Sequence, residues 1–450
     1  MRRILATITV LLGFAPFLGA QRMLSLQECL DLCEERNPYV GNAKLDIEAS
    51  EAMRSEALWA YFPEVNIVGM GYGSQNPLLK ILPSDLLGTS DLAVELANRY
   101  LDFAYQNGLK TGYRSFQKGY LSGVTAIQPI YAGGRIVNGN RMAAVGVEAA
   151  ELQADLKLRD TKEQIEGKYW LVVSLQEKFK TLQKAETVLD SLLSFAVTAK
   201  EAGLIPASDV SRIKLKRSEL AAGKVQLRGG LKLAKMDLFN AIGLQYNYLE
   251  LSDYVLSEEI GNCTGTDGLT GEETGIPVEA RLLDIQQEAK KLEKKMSVGE
   301  LLPQVGVGVS YGYHNLQGKS VGEMNGVGFV SVKIPITGIG KAVVRARRMD
   351  YEIQKVSNER AYLNEQLQLQ QRQLFLAVEV ASGKVDVSLE ALAAAEEETR
   401  RCLADYEAGR ATVAELLQVE LDCRTASEKY IDDCIEYRKA VNAYRSRYCN

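Results

Sequence analysis

The amino-acid sequence predicts a mainly α-helical chain with a membrane β-barrel portion, built twice over from a strand pair followed by a long helical hairpin. The placement of proline points there first. Ten prolines occur in 450 residues, under half of the usual share, and none falls between Pro129 and Pro206, between Pro206 and Pro277, or after Pro335. Stretches so free of proline permit very long helices. An internal repeat points the same way. Phe62-Pro63-Glu64-Val65 recurs as Leu302-Pro303-Gln304-Val305 at an offset of 240 residues, and Gln128-Pro129-Ile130 with Gly134-Arg135 recurs as Ile334-Pro335-Ile336 with Gly340-Lys341 at an offset of 206. The offset of 206 then holds without a gap, matching Glu201-Ala202-Gly203 to Glu407-Ala408-Gly409, Asp209-Val210 to Glu415-Leu416 and Leu215 to Leu421. Self-similarity of this length marks a tandem duplication. The extra residues of the first copy lie between Tyr72 and Tyr120.

Residues 1–20 stand apart from the fold. Arg2 and Arg3 precede an apolar stretch from Ile4 to Leu18, and Leu18-Gly19-Ala20 closes it, the layout of a secretory signal peptide. Leu18 departs from a strict A-x-A site, which leaves the cleavage position near Ala20 open and an uncleaved membrane anchor as the alternative. No Cys follows the junction, so lipid attachment is not indicated. The first repeat is expected over 21–245: a helix, a β-hairpin with a long loop at 73–119, and a long helical hairpin. A linker at 246–276 leads to the second repeat at 277–450.

No later stretch reaches the ~18–20 continuous apolar residues of a membrane helix. Any membrane portion must be made of strands. Val305, Val307, Val309, Tyr311 and Tyr313 alternate with Gly306, Gly308, Ser310, Gly312 and His314, a period of two with one apolar face, as in barrel strands of ~10 residues. Val65, Ile67, Gly69, Met70 and Tyr72 repeat the pattern less cleanly. The returning strands are weaker: Val330, Val332 and Ile334 share a face, and Leu121 to Gln128 barely alternates. Taken alone, these strands also suit a half-buried hairpin of a soluble sheet.

The helices carry a seam at Leu363, Leu367, Leu374, Val378, Val385, Leu389 and Leu392, in the steps of three, four and seven that mark one helix face. From Pro335 to the turn at Gly409 there is room for nearly seventy helical residues, about 100 Å of helix. Such helices must pack side by side with their copies. Two hairpins give four strands, whereas a closed membrane barrel takes at least eight, and an open edge in lipid leaves N–H and C=O groups unpaired. The count implies a dimer or a more spacious trimer with twelve strands, enclosing a pore.

With these features the chain resembles the TolC-like outer-membrane efflux proteins. The resemblance rests on Leu24-Ser25-Leu26-Gln27-Glu28-Cys29-Leu30 with Asn37-Pro38, on the strand–helix junctions at Pro63, Pro129, Pro303 and Pro335, and on the two turns Glu201-Ala202-Gly203-Leu204 with Asp209-Val210 and Tyr406-Glu407-Ala408-Gly409 with Glu415-Leu416-Leu417. It implies a homotrimer whose twelve strands cross the outer-membrane lipid and whose twelve helices form a periplasmic barrel. It also implies two partners, a periplasmic adaptor (membrane fusion) protein and an inner-membrane pump. The adaptor contact would fall on the hairpin tips at Gly203, Leu204, Gly409 and Arg410. A gate at the tips would use Tyr406, Asp209, Glu415 and Arg410, with the Tyr hydroxyl donating to a carboxylate and the acidic groups of three chains forming a cation-favouring ring. The sequence departs from the family where a tip arginine and a second acidic position are usual: Ala411 and Gln418 stand there. For Asp209 the alternative is a first-turn carboxylate that suits a helix N-terminus, and for Arg410 a solvated surface residue.

Other classes are disfavoured. A net charge of −5, more negative without Arg2 and Arg3, argues against a nucleic-acid surface. His314 is the only histidine, which excludes His-based triads and His-rich metal sites. Gly338-Ile339-Gly340-Lys341-Ala342 lacks the spacing of a phosphate loop, and Gly69-Met70-Gly71-Tyr72-Gly73 precedes no helix, so neither a cofactor nor an enzymatic activity is expected. Seven cysteines leave one over after pairing; Cys402 and Cys423, flanking Gly409, are placed to face one another. The rival from another class is a periplasmic coiled-coil adaptor or scaffold without a pore. It leaves unexplained the duplicated strand pairs and the tyrosines near their ends, Tyr61, Tyr72, Tyr120, Tyr131, Tyr311 and Tyr313, which suit an aromatic girdle.

Overall fold

The computed structural model describes residues 22–75, 79–81, 91–107, 113–115, 118–203, 205–244, 254–256, 269, 277–315, 322–336 and 338–448. The expected signal peptide, Leu204, Cys263, Cys449 and most of 246–276 lie outside them. In chain order the elements are β1 (Arg22–Leu24), α1 (Leu26–Arg36), α2 (Pro38–Trp59), β2 (Glu64–Gly73), β3 (Leu79–Ile81), α3 (Asp91–Gln106), β4 (Tyr113–Ser115), β5 (Lys118–Ala132), α4 (Arg135–Glu201), α5 (Ala207–Ala241), β6 (Tyr254–Leu256), α6 (Val278–Gly299), β7 (Gln304–Asn315), β8 (Glu323–Lys333), α7 (Gly338–Glu407) and α8 (Val413–Tyr448). The chain divides into two compact units, one from Met1–Ala49, Glu148–Ile285 and Ser357–Asn450, the other from Ser50–Val147 and Gln286–Val356.

The second unit holds the strands. They form one antiparallel sheet in the order β2-β5-β7-β8, so the two hairpins expected from the sequence are joined through β5 and β7. Register sorts the side chains: Ile67 lies opposite Val124, Val124 opposite Tyr311, and Val307 opposite Val330. On this apolar face Ile67 is 87% exposed, Val330 70% and Val309 61%. The other face carries Asn66, Thr125, Ser310 and His314, and the hydroxyls of Thr125 and Ser310 hydrogen-bond at 3.0 Å. Met70 and Tyr72 belong to this second face, because β2 pairs residue for residue with β5 from Glu64 to Gly73. The unbroken period of two thus separates them from Val65 and Ile67, and Tyr72 from the other proposed girdle tyrosines Tyr120 and Tyr311. Among the described residues β2 and β8 are open edges.

Two expectations change here. Pro129 does not end its strand: β5 continues to Ala132, and a register shift between Pro129 and Tyr131 absorbs the missing N–H. The turn into α4 is instead made by Gly133 and Gly134, with φ of 63° and 76°. The segment 73–119 is also not merely a loop, since it contains α3 and the short antiparallel pair β3-β4.

The first unit is helical, apart from β1, which pairs in parallel with β6, a contact no sequence pattern announced. Ser25 and Glu28 form a capping box on α1, with Glu28 N donating to Ser25 Oγ at 3.2 Å and Ser25 N to Glu28 Oε2 at 2.8 Å. Asn37 accepts from Tyr39 N at 2.8 Å and donates through Nδ2 to the Ala241 carbonyl at 2.7 Å, tying the start of α2 to the end of α5. Around them Cys29, Cys33, Tyr169, Trp170, Leu238 and Phe239 make one core; Val378, Val385, Cys434, Tyr437 and Tyr444 make another. Along α7 the expected seam holds at Leu367, Val378 and Val385 but not at Leu389, which is 39% exposed. Ser388 takes that place, its hydroxyl returned to the Val385 carbonyl at 3.1 Å. Of the described cysteines, Cys33, Cys402 and Cys423 are free thiols. The Cys423 thiol hydrogen-bonds with the Thr399 side chain, one helical turn before Cys402.

Candidate gate at the helical tips

The two longest helices, α4 and α7, each end in a left-handed glycine. Gly203 has φ 77° and Gly409 φ 73°, and their N–H groups donate to the Lys200 and Tyr406 carbonyls at 2.9 and 3.0 Å. Glycine adopts this conformation without a Cβ penalty.

The two tips then restart differently. Pro206 opens α5 with extended backbone and no side-chain cap, leaving Asp209 in the first turn, half-buried. At the second tip Thr412 and Glu415 form a capping box: Thr412 N and Oγ1 donate to Glu415 Oε2 at 2.8 and 3.0 Å, and Glu415 N donates to Thr412 Oγ1 at 3.2 Å. These bonds, the backbone one foremost, hold the Glu415 carboxyl below the usual carboxylate range. Arg410 folds back on its own turn, with Nε and Nη2 on Asp405 Oδ1 at 2.9 and 2.7 Å and its N–H on the Asp405 carbonyl at 2.8 Å.

Tyr406 and Asp209 are brought together. Leu189, Leu192, Val210, Ile213, Val413 and Leu416 from both hairpins pack into one core that includes Tyr406. The Tyr406 ring meets Phe195 edge-on, centroids 5.8 Å apart. Tyr406 is 7% exposed, and its hydroxyl has no hydrogen-bond partner among the described residues. Burial, then the negative charge of Asp209, pushes the phenol pKa up. A buried donor without an acceptor among the described residues thus lies within electrostatic reach of a carboxylate of the other hairpin. Of the four gate candidates the fold joins these two, while Glu415 is taken by its cap and Arg410 by its turn.

Sequence reasoning missed Glu420. It is 8% exposed, its Oε2 is unpartnered among the described residues, and burial raises its pKa against Arg424 and Lys216. The signal was available, since Val413, Leu416 and Glu420 follow steps of three and four. A groove of about 430 Å³ beside it is lined by Lys178, Lys216, Glu219, Gly223, Arg424 and Glu428.

The chain matches no protein-family model and no curated protein by sequence. Solved structures do match. The outer-membrane channel OprN superposes with a TM-score of 0.71 at 15% identity, over 94% of this chain and 89% of that one. The outer membrane protein VceC of Vibrio cholerae gives 0.70 at 12%, over 94% and 97%, and the CmeC outer membrane channel of Campylobacter jejuni 0.71 at 11%, over 94% and 84%. This chain has the TolC-like outer-membrane channel fold. Within a TolC-like fold, the duplicated strand pairs and the two hairpins that end at Gly203 and Gly409 account for the repeat in the sequence.

Proposed function

We propose that the protein is the outer-membrane exit duct of a tripartite efflux or secretion system. In this reading three copies close a twelve-stranded barrel in the outer membrane, and their helices form a periplasmic passage that receives substrate from an inner-membrane pump through a periplasmic adaptor. The observation that carries it is the β2-β5-β7-β8 sheet: its apolar face is exposed and, among the described residues, both edges are open. In lipid such edges must be paired, and neighbouring copies supply the strands that a single chain lacks. The likeness to outer-membrane channels supports the same location and duct role. Tyr406 and Asp209 serve as the closing pair, and the tips around Gly203, Leu204, Gly409 and Arg410 as the adaptor contact.

Outer-membrane fractionation, native mass spectrometry and planar-bilayer recording test the reading together. The expected result is a trimer in the outer membrane that forms conducting pores. A protein recovered in the soluble or inner-membrane fraction without conductance would instead be the adaptor or scaffold. Co-purification after crosslinking in cells would identify the pump.

A further inference from the structure

The segment between β2 and β5 carries a surface that a single chain leaves unused. In α3 the side chains of Leu92, Leu96, Tyr100 and Phe103 are 71%, 62%, 60% and 61% exposed. At ~100° per residue they fall within an arc of about 80°. Next to that arc lie Ala97 and Ala104, which are buried. Opposite lie Asp91, Glu95, Arg99 and Asp102, with Glu95 and Arg99 ion-paired at 3.1 Å. The helix therefore has a packed alanine face, a charged face, and between them a stripe of large exposed apolar groups, the kind of contiguous patch that protein contacts cover.

We infer that this stripe packs on the same stripe of neighbouring copies, so that the α3 helices form a collar at the end of the barrel remote from the long helices. The inference rests on the trimeric reading above. Topology supports it: β2 and β5 leave the helical side at Pro63 and reach it again at Gly133, so the connection bearing α3 emerges at the other end. β2 is an open edge, and the chain leads from Gly73 at its end to Asp91. Closing the barrel seats a neighbour against that edge and continues the interface to α3. The charge of the helix favours protein over lipid as the occupant. Helices that lie on anionic membranes are rich in Lys and Arg, whereas α3 sets three carboxylates against Arg99.

The test places the photo-crosslinker p-benzoylphenylalanine at Tyr100, or at Asp102 on the charged face, in the full chain within outer-membrane vesicles. The expected result is inter-copy crosslinks from position 100, mapped to residues 91–106 of another copy and at least ten-fold more abundant than from position 102. Adding Leu96→Glu should lower the position-100 yield at least ten-fold while native mass spectrometry still finds trimers. Trimers whose position-100 crosslinks go to lipid or to their own chain, or do not form, overturn the collar and leave the duct standing. Monomers overturn both.

Discussion

The Tyr406 hydroxyl is buried at the second hairpin tip without an acceptor among the described residues, within electrostatic reach of Asp209 on the first tip. A hydrogen bond from a phenol to a carboxylate contributes roughly 1.5–3 kcal/mol. If a closed assembly forms it in each copy, Tyr406→Phe and Asp209→Asn should each shift the closed-to-open ratio at least ten-fold toward open. Single-channel recording measures this, and unchanged conductance in both variants would sink the assignment.

The cap at Thr412 makes a separate prediction. Thr412→Ala removes two of the three cap bonds and should lower the melting temperature by about 1–2 °C without changing conductance. Because Glu415 is held below the ordinary carboxylate range, its contribution is present above that range and is lost as the pH falls through the folded value. The difference between Thr412→Ala and the parent should therefore shrink in acid, as pH-dependent thermal melts would reveal.

Glu420 has the opposite sign. Burial raises its pKa, so the folded state favours the protonated acid, and the stability this gives is lost as the pH rises through the folded value. Glu420→Gln should stabilise the chain by about 1 kcal/mol at neutral pH and lose that advantage below the ordinary carboxylate range. Equal gains at both pH values would refute the explanation.

Gly133 and Gly299 meet backbone to backbone. A Cβ at Gly133 would lie 2.1 Å from the Gly299 carbonyl oxygen, and one at Gly299 would lie 2.4 Å from that of Gly133. Gly133→Ala and Gly299→Ala should each cost more than about 2 kcal/mol. Gly134→Ala, where the nearest atom is the Asn138 side chain at 3.4 Å, should cost only the left-handed strain, about 1 kcal/mol. Equilibrium unfolding of the three variants ranks them.

Alkylation without reductant checks the thiols. Cys33, Cys402 and Cys423 should all be modified after denaturation. In the native protein Cys29, Cys33 and Cys434, each at 0% exposure, should resist.

The local chemistry of the chain was legible before its structure. Proline placement, the constant offset of the repeat, the alternation from Val305 to Tyr313 and the glycines at 203 and 409 mark helices, strands and turns, because each reflects a backbone preference of the residue itself. The register of β2 was not, since Met70 and Tyr72 are apolar and only pairing with β5 assigns them a face. Nor were the bulge after Pro129, the parallel contact of β1 with β6, and the exchange of Leu389 for Ser388 in the seam, all of which depend on what a distant segment presents. The gate candidates divide in the same way. The family resemblance nominated Tyr406, Asp209, Glu415 and Arg410 alike, and the tertiary structure separated them: Glu415 and Arg410 find partners within a few residues, whereas Tyr406 and Asp209 come within electrostatic reach only because two hairpins far apart in sequence share one core.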